Sequence, residues 1–370
     1  MAGIYIHIPY CKSKCIYCDF YSSTDFEKKN ELINAICLEI KNSKDIFPYQ
    51  IETIYIGGGT PSVLNSNDLE KIINALFNTF SLSTLKEFTI EVNPDDITEE
   101  FVRIVKNFKI NRVSIGVQSF DDDILKFLSR RHNSKQAINA VELFYKAGFN
   151  NISIDLIYGI NGLTEYLWKK TLTKAISLPI KHLSAYHLTI EENTILHKKL
   201  LQNLYKEINE ENSLKQYEIL REILSKNNFE HYEISNFAKN GYQSKHNCSY
   251  WQGKPYLGIG PSAHSYFINK RRYNYYSIDM YVENVSNKKQ HFVEEHLSNT
   301  DKFNEYLITR LRTNKGGSFE ELKKIDEAIF YKWYRKLNLN KIYLNINNDN
   351  FSLKEEFWFI SNSIISKLLI

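Results

Sequence analysis

Short apolar segments alternate with longer amphipathic segments along the first 237 residues of the chain. Each apolar segment has the length of a β-strand, and the segment after it carries apolar residues at helical spacing, as Leu32, Ile36 and Ile40 do. Six strands are predicted in this way, at Ile4–Pro9, Thr53–Gly59, Glu87–Asn93, Arg112–Phe120, Asn151–Gly159 and His182–Ile190. Because successive strand–helix units favour parallel strands with helices packed outside them, residues 1–237 are predicted to form an α/β domain.

The alternation ends near Phe237. Residues Lys245–Tyr266 are dense in Gly, Pro and aromatic residues and carry two histidines. Two short helical patterns follow, at Phe303–Arg312 and Ser318–Ile325, with the turn signal NKGG between them. We expect a second, smaller and mostly helical domain over residues 238–370.

The bulk composition narrows the class of protein. Of 370 residues, 43% are hydrophobic and 24% are charged, and the net charge of +4 offers no case for nucleic-acid binding. No apolar run approaches the length of a membrane span, and the chain starts directly on a strand, without the regions of a signal peptide. The five cysteines are odd in number. We therefore expect a cytoplasmic protein whose clustered thiols bind metal and do not form disulfides.

Polar or glycine-rich groups lie late in the predicted strands or directly after them. Three cysteines follow the first strand and GGGTP follows the second, while Glu91, Gln118 and Asp155 lie near the ends of the third, fourth and fifth. In parallel α/β sheets the functional loops lie beyond the carboxyl ends of the strands. We expect these residues to line one cavity at that edge of the sheet.

The three cysteines, Cys11, Cys15 and Cys18, form the pattern C-x3-C-x2-C. Thiolates bind iron–sulfur clusters or zinc, and a complete [4Fe–4S] cluster takes four cysteines, one per iron. Neither of the other two cysteines lies at a useful local spacing, so one iron would keep an open position for a substrate or cofactor. Two alternatives stay open. The first is a structural zinc site made of the three cysteines and His7, and the second is that the three thiols bind no metal at all.

This loop, with Tyr17 before its last cysteine, resembles the radical S-adenosylmethionine superfamily. The resemblance implies a [4Fe–4S] cluster on the three cysteines, S-adenosylmethionine on the fourth iron, and an electron donor that reduces the cluster. It also implies an incomplete (β/α)6 barrel, beside which the smaller C-terminal domain would lie. Whether S-adenosylmethionine is cleaved to a 5′-deoxyadenosyl radical or only bound stays open.

Longer motifs narrow the resemblance to the oxygen-independent coproporphyrinogen III oxidase family. In order along the chain they are YIHIPYC, GGGTPS, EVNP, SIGVQSFDD, LSRRH and IDLIYG. The match implies that S-adenosylmethionine is contacted by Tyr5, Tyr17, Gly58, Gly59, Thr60, Glu91, Gln118, Arg130 and Asp155. Taken singly, each of these residues also has a structural interpretation, such as a tight turn for the glycines or a solvated helix end for Arg130.

Two departures separate the chain from the oxidases. The oxidases carry a further cysteine two positions after the third, where this chain has Phe20, and an N-terminal extension, where only Met1–Gly3 precede the first strand. The ending C-x-Y-C-D-F-x-S instead resembles the haem-chaperone branch, whose H-N-x-x-Y-W motif occurs as HNCSYW. This resemblance implies delivery of haem to an acceptor protein. The residues that would bind haem are His246, Asn247, Tyr250 and Trp251, with His264 as a second candidate.

Three functions therefore remain open at this stage. They are a haem chaperone on a radical S-adenosylmethionine scaffold, an oxidase that converts propionates to vinyls, and a non-catalytic protein with structural zinc. For HNCSYW itself the structural alternative is an aromatic core segment in which His246 only forms hydrogen bonds.

Overall fold

The computed structural model describes residues 2–370 of the chain. The strands are β1 (Ala2–Ile8), β2 (Ile51–Gly58), β3 (Glu87–Val92), β4 (Arg112–Gln118), β5 (Ile152–Tyr158), β6 (His182–His187), β7 (Glu230–Glu233), β8 (Asn236–Ala238), β9 (Tyr256–Ile259), β10 (His264–Tyr266), β11 (Lys270–Asn274), β12 (Phe292–His296), β13 (Gly317–Ser318), β14 (Leu344–Ile346) and β15 (Asn350–Leu353). The helices are α1 (Lys29–Asn42), α2 (Ser66–Thr79), α3 (Glu99–Asn107), α4 (Asp122–Phe127), α5 (Ser134–Lys146), α6 (Glu165–Ser177), α7 (Ile195–Leu201), α8 (Glu210–Lys226), α9 (Lys245–Trp251), α10 (Ile278–Ser286), α11 (Asn299–Arg310), α12 (Phe319–Ile325), α13 (Glu327–Leu337) and α14 (Ser361–Leu368).

The six predicted strands form the centre of one sheet. Strands β1 to β6 pair in parallel, each with the next along the chain, as the strand–helix alternation predicts. On its far side β6 pairs with the antiparallel β8, not with β1. Over residues 2–370 the barrel is therefore incomplete, and the predicted α/β class is confirmed.

Residues after position 237 extend the same sheet at its other edge. Strand β9 pairs in parallel with β1, and β10, β11 and β12 follow as antiparallel neighbours. The predicted domain boundary falls inside β8, and the buried apolar residues form one continuous cluster from Ala2 to Leu368. The division into residues 1–237 and 238–370 stays a prediction, although the sheet itself runs across it.

Residues 299–370 are mostly helical, as expected for the C-terminal part of the chain, whereas residues 256–296 contribute β9 to β12 to the large sheet. Helices α11 to α14 surround a small sheet in the order β13-β15-β14. The core between these helices and the small sheet is aromatic, with Phe303, Phe319 and Phe351 packed around Trp333. Nowhere in residues 2–370 is a helix long and apolar enough to cross a membrane.

Local interactions fix the start and the end of α5. The Asn133 side chain accepts from the backbone N–H of Gln136, whose own side chain accepts from the N–H of Asn133, which is a complete capping box. At the other end Gly148 has φ of +91°, the left-handed conformation that glycine adopts most readily after a helix.

Candidate cofactor and ligand sites

The loops at the carboxyl ends of β1 to β6 enclose a cavity of about 370 Å³, here called the cysteine cavity. It brings together every residue predicted to bind the cluster or S-adenosylmethionine except Tyr5. Those lining residues are Cys11, Cys15, Tyr17, Cys18, Gly58, Gly59, Thr60, Glu91, Gln118, Arg130 and Asp155. Residues separated by more than a hundred positions meet here because parallel strands end at the same edge of the sheet.

The thiols of this cavity fit a cluster better than a single metal ion. Cys11 Sγ lies 3.3 Å from Thr60 Oγ1, and the Arg130 guanidinium donates to Cys15 Sγ at 3.3 Å. Nowhere in residues 2–370 do three His, Cys, Asp or Glu side chains converge closely enough to hold one metal ion. A zinc ion requires such convergence, whereas a [4Fe–4S] cluster spreads its thiolates over different irons.

His7, the fourth ligand of the zinc alternative, faces elsewhere. Its Nδ1 lies 3.1 Å from the Tyr5 hydroxyl and its Nε2 lies 2.9 Å from the Tyr21 carbonyl oxygen. Burial lowers the pKa of His7 to about 4. The zinc site of three cysteines and His7 is therefore not formed in this structure.

Burial also keeps two of the cysteine thiols protonated in the metal-free protein. It raises the pKa of Cys18 to about 11 and raises the pKa of Cys11 above its usual value, while the bond to Thr60 opposes the shift at Cys11. Metal ligation requires thiolates, so a cluster that binds here must displace these protons.

The glycines after β2 allow close packing against the cysteine loop. Gly59 donates its N–H to the Ile8 carbonyl at 2.8 Å. A Cβ on Gly59 would lie 2.8 Å from the backbone carbonyl oxygen of Tyr10. Gly58 has φ of +111°, a conformation that other residues rarely adopt. The glycine motif thus supports the backbone immediately before Cys11.

We expect Gly59→Ala to lose most of its cluster while the chain still folds. The added methyl group meets backbone atoms, which cannot rotate away, so the loop that carries the three cysteines must shift. Iron and sulfide content after anaerobic reconstitution measures the effect. Gly162→Ala is the control, since no atom lies within 4 Å of a Cβ added there, although its φ of +95° adds a backbone strain that Gly59→Ala does not. Equal cluster content in Gly59→Ala and the wild type would contradict this role.

Two buried carboxyl groups give the cavity an acidic side. Glu91 accepts from the Tyr55 hydroxyl at 2.6 Å and from the Gly58 N–H at 3.1 Å, and Asp155 accepts from Ser114 at 3.4 Å. Burial raises the pKa of Glu91 to about 7 against the opposing bond from Tyr55, and the nearby charge of Asp155 adds to the rise. Burial likewise raises the pKa of Asp155. A positively charged ligand group would stabilise both carboxylates.

Arg130 and Gln118 line the same cavity as these acids. Besides Cys15, Arg130 donates to the Gly116 carbonyl at 2.8 Å and to the Asn93 side chain. Gln118 has φ of +64° at an irregularity in the β4–β5 register. Such bulges and strained residues are frequent beside functional sites, because they redirect a side chain out of the sheet.

A larger cavity of about 750 Å³, here called the aromatic cavity, lies between β1, the C-terminal helices and the strands β9 to β12, here called the added strands. It is lined by Tyr5, His7, Asp19, Phe20, Tyr21, Tyr250, Tyr256, His264, Tyr266, Arg271, Tyr276, Lys302, Glu305, Tyr306, Arg310 and Glu321, among others. Tyr5 lines this cavity and not the cysteine cavity. Phe20 lines both cavities and is 70% exposed, so the two cavities adjoin at this ring.

The HNCSYW motif forms helix α9, and its histidine lies in the core. His246 is only 1% exposed, with Nδ1 2.8 Å from Thr53 Oγ1 and Nε2 2.7 Å from the Tyr250 hydroxyl. Burial lowers the pKa of His246 to about 3. Both ring nitrogens are occupied, so in this arrangement His246 is not available as a haem ligand, contrary to the expectation from the motif.

Of the four motif residues, Tyr250 alone lines the aromatic cavity, while Asn247 and Trp251 line neither cavity. The helix is held by Glu87, which sequence reasoning missed. The buried Glu87 carboxylate accepts from the backbone N–H groups of Lys245 and His246 at 2.8 and 3.0 Å. A charged residue at the start of an otherwise apolar strand was the signal for such a role.

Tyr186 and Thr189, at the end of β6, were also missed as lining residues of the cysteine cavity. The rule that the carboxyl end of every parallel strand faces the same site would have found them.

Comparisons with known proteins agree with this geometry. A sequence model of the radical SAM superfamily matches residues 5–175. The haem chaperone HemW of Lactococcus lactis subsp. lactis (strain IL1403) is 33% identical over 369 residues, which cover 99% of this chain and 97% of that protein. The chain belongs to the HemW family of radical SAM proteins. HemW of Bacillus subtilis (strain 168) is 34% identical over 323 residues, covering 86% of this chain and 85% of the relative.

The fold is shared with a solved structure, coproporphyrinogen III oxidase HemN from Escherichia coli. The two chains superpose with a TM-score of 0.86 over 99% of this chain and 89% of the other, at 19% sequence identity. The incomplete radical SAM barrel and the HemW-type branch predicted from the motifs are therefore confirmed.

Proposed function

We propose that this protein is a haem chaperone that holds a [4Fe–4S] cluster and S-adenosylmethionine in the cysteine cavity and haem in the aromatic cavity. It then transfers the haem to an acceptor protein. The observation that carries this proposal is the pairing of the two cavities at Phe20, in a chain that is similar over nearly its whole length to proteins named as haem chaperones.

The aromatic cavity has the size and lining that a flat macrocycle needs. Its volume of about 750 Å³ lies in the upper range of small-molecule sites. Tyrosine rings from β1, β9, β10 and α11 supply faces for packing. Lys302 forms no ion pair within residues 2–370, whereas Arg271 pairs with Glu305 and Arg310 pairs with Glu321. The free ammonium of Lys302 is thus suited to a haem propionate.

The cysteine cavity supplies the cofactor side of the proposal. Cys11, Cys15 and Cys18 would hold the cluster, which when reduced supplies the electron that cleaves S-adenosylmethionine in this superfamily. Glu91 and Asp155 would accept from positively charged or hydroxyl groups of S-adenosylmethionine, and Arg130 would orient Cys15. An external electron donor is needed for reduction. All five cysteines are free, which is consistent with a reducing cytoplasm.

The shared fold with HemN keeps one alternative open, an oxidase acting on coproporphyrinogen III. Phe20, exposed between the cavities where an oxidase carries cysteine, favours the chaperone. The test uses the anaerobically reconstituted protein in two assays, haem titration by difference spectroscopy and incubation with coproporphyrinogen III, S-adenosylmethionine and a reductant. We expect saturable binding of one haem per chain and no protoporphyrinogen IX. Catalytic protoporphyrinogen IX formation, or failure to bind haem, would refute the chaperone.

A further inference from the structure

Resting on this proposed function, we propose that the iron of haem in the aromatic cavity is bound by His264, and that His246 positions Tyr250 without touching the iron. The assignment moves the metal ligand from the HNCSYW motif to strand β10. It makes the motif a support for the cavity wall at Tyr250 and places the residue that would hold the iron on β10.

The pleat of β10 directs His264 into the cavity. His264 and Tyr266 both line the aromatic cavity, whereas the intervening Ser265 is buried on the other face, where its hydroxyl accepts from the Gly258 N–H at 2.9 Å. Successive side chains of a strand point to opposite faces. The imidazole of His264 is exposed within the cavity opening and packs edge-on against Tyr273, with ring centroids 4.7 Å apart.

The backbone that carries His264 is fixed by tight packing. A Cβ added to Gly258 of β9 would lie 2.0 Å from the His264 carbonyl oxygen, so glycine is required for the two strands to approach. His264 is also paired with Tyr273 of β11. A ligand on a rigid sheet is held in place with little loss of conformational freedom when it binds.

The two histidines that line the cavity, His7 and His264, differ in whether their ring nitrogens are hydrogen-bonded. Both ring nitrogens of His7 are hydrogen-bonded, to the Tyr5 hydroxyl and the Tyr21 carbonyl. Within residues 2–370 neither ring nitrogen of His264 has a hydrogen-bond partner. Partial burial and the charge of Arg271 lower the pKa of His264. The ring is therefore neutral at physiological pH, which is the form that ligates iron.

His246 has the opposite environment. Its ring stacks on Tyr55 with centroids 5.2 Å apart, and both nitrogens are engaged as described above. Binding iron would require it to give up a buried hydrogen bond, leaving the hydroxyl of Thr53 or Tyr250 without that partner. Its geometry instead fixes the Tyr250 ring, which does reach the cavity.

The experiment compares four forms of the cluster-loaded protein, namely wild type, His264→Ala, His246→Gln and His296→Ala. Each is titrated with ferric haem and studied by difference absorption and by electron paramagnetic resonance. His296→Ala is the matched control, since this exposed histidine on β12 lies outside the cavity. We expect His264→Ala to bind haem about tenfold more weakly and to lose the histidine-ligated signal, which added imidazole restores.

We expect His246→Gln to keep the wild-type haem signal in its folded fraction, and His296→Ala to match the wild type throughout. An unchanged signal in His264→Ala would overturn the assignment, as would loss of the signal in folded His246→Gln with recovery on addition of imidazole. If the wild type itself binds no haem, the proposed function fails together with the assignment. If the wild type binds haem and His264→Ala keeps the wild-type affinity and signal, the assignment of the iron ligand fails while the proposed function stands.

Discussion

Replacing Cys11, Cys15 and Cys18 together with alanine is expected to abolish cluster assembly. Iron and sulfide should fall from about four of each per chain to near zero after anaerobic reconstitution, because a [4Fe–4S] cluster needs cysteine thiolates. The three cysteines line one cavity with Arg130 and Thr60 against their sulfur atoms, and no other cysteine lines it. The chain should remain folded, since none of the three belongs to the buried apolar core.

The control is the double variant Cys37→Ala and Cys248→Ala, which removes the remaining two cysteines. Cys37 lies on α1 and Cys248 on α9, and neither lines the cysteine cavity. This variant should keep about four irons per chain. Retention of the cluster in the triple variant, or its loss in the double variant, would show that the ligands have been wrongly assigned.

Glu39→Ala is expected to lower the free energy of unfolding by about 3–5 kcal/mol. The buried Glu39 carboxylate of α1 accepts from Gly260 N at 2.8 Å, Asn274 Nδ2 at 2.8 Å, His291 Nε2 at 2.9 Å and the Tyr281 hydroxyl at 2.5 Å. Its loss leaves three buried donors and the part-buried His291 without this acceptor. It also frees β9 to β12 from the first helix of the barrel, so haem binding should weaken as well.

Chemical denaturation followed by circular dichroism measures this effect. Glu283→Ala is the matched control. Glu283 on α10 is 67% exposed, and its ion pair with Lys289 is long, at 3.9 Å. Its removal should therefore change the free energy of unfolding by less than about 1 kcal/mol. Similar stability of the Glu39 and Glu283 variants would mean that Glu39 does not join the added strands to the barrel.

The central barrel was predictable because its signals are local. Strands β1 to β6 span six to eight residues, enough to show apolar patterning, and the parallel arrangement follows from the strand–helix order. The rule for the carboxyl edge then predicted that the three cysteines, the glycine motif, Glu91, Gln118 and Asp155 share a cavity, and all of them line it. Tyr17 and Arg130, which also line it, were predicted from the family resemblance and not from this rule. In this part of the fold each strand lies beside the next one along the chain, so the order of the strands in the sequence gives their positions in the sheet.

The aromatic cavity was not predictable in the same way. Its walls come from β9 and β10, which are four and three residues long, and β9 joins β1 across about 250 positions. Runs so short carry no usable period, and a pairing so distant has no local signal. Tyr5 lines this cavity, which its motif did not predict, and its assignment to S-adenosylmethionine stays a prediction.

His246 shows a different limit of the sequence. A motif identifies the residue but not the hydrogen bonds that it makes, and Thr53, nearly two hundred positions earlier, occupies its Nδ1. Only the packed structure distinguishes a buried, satisfied histidine from an exposed one such as His264.

The central claim is that cluster and haem occupy two adjoining but separate cavities of one chain. Its most direct test is to load the reconstituted protein with haem, remove the excess, and measure non-haem iron, sulfide and haem in the same sample. The account predicts about four non-haem irons and one haem per chain at once. Loss of the cluster in proportion to the haem bound would show that haem takes the cysteines, and would contradict it.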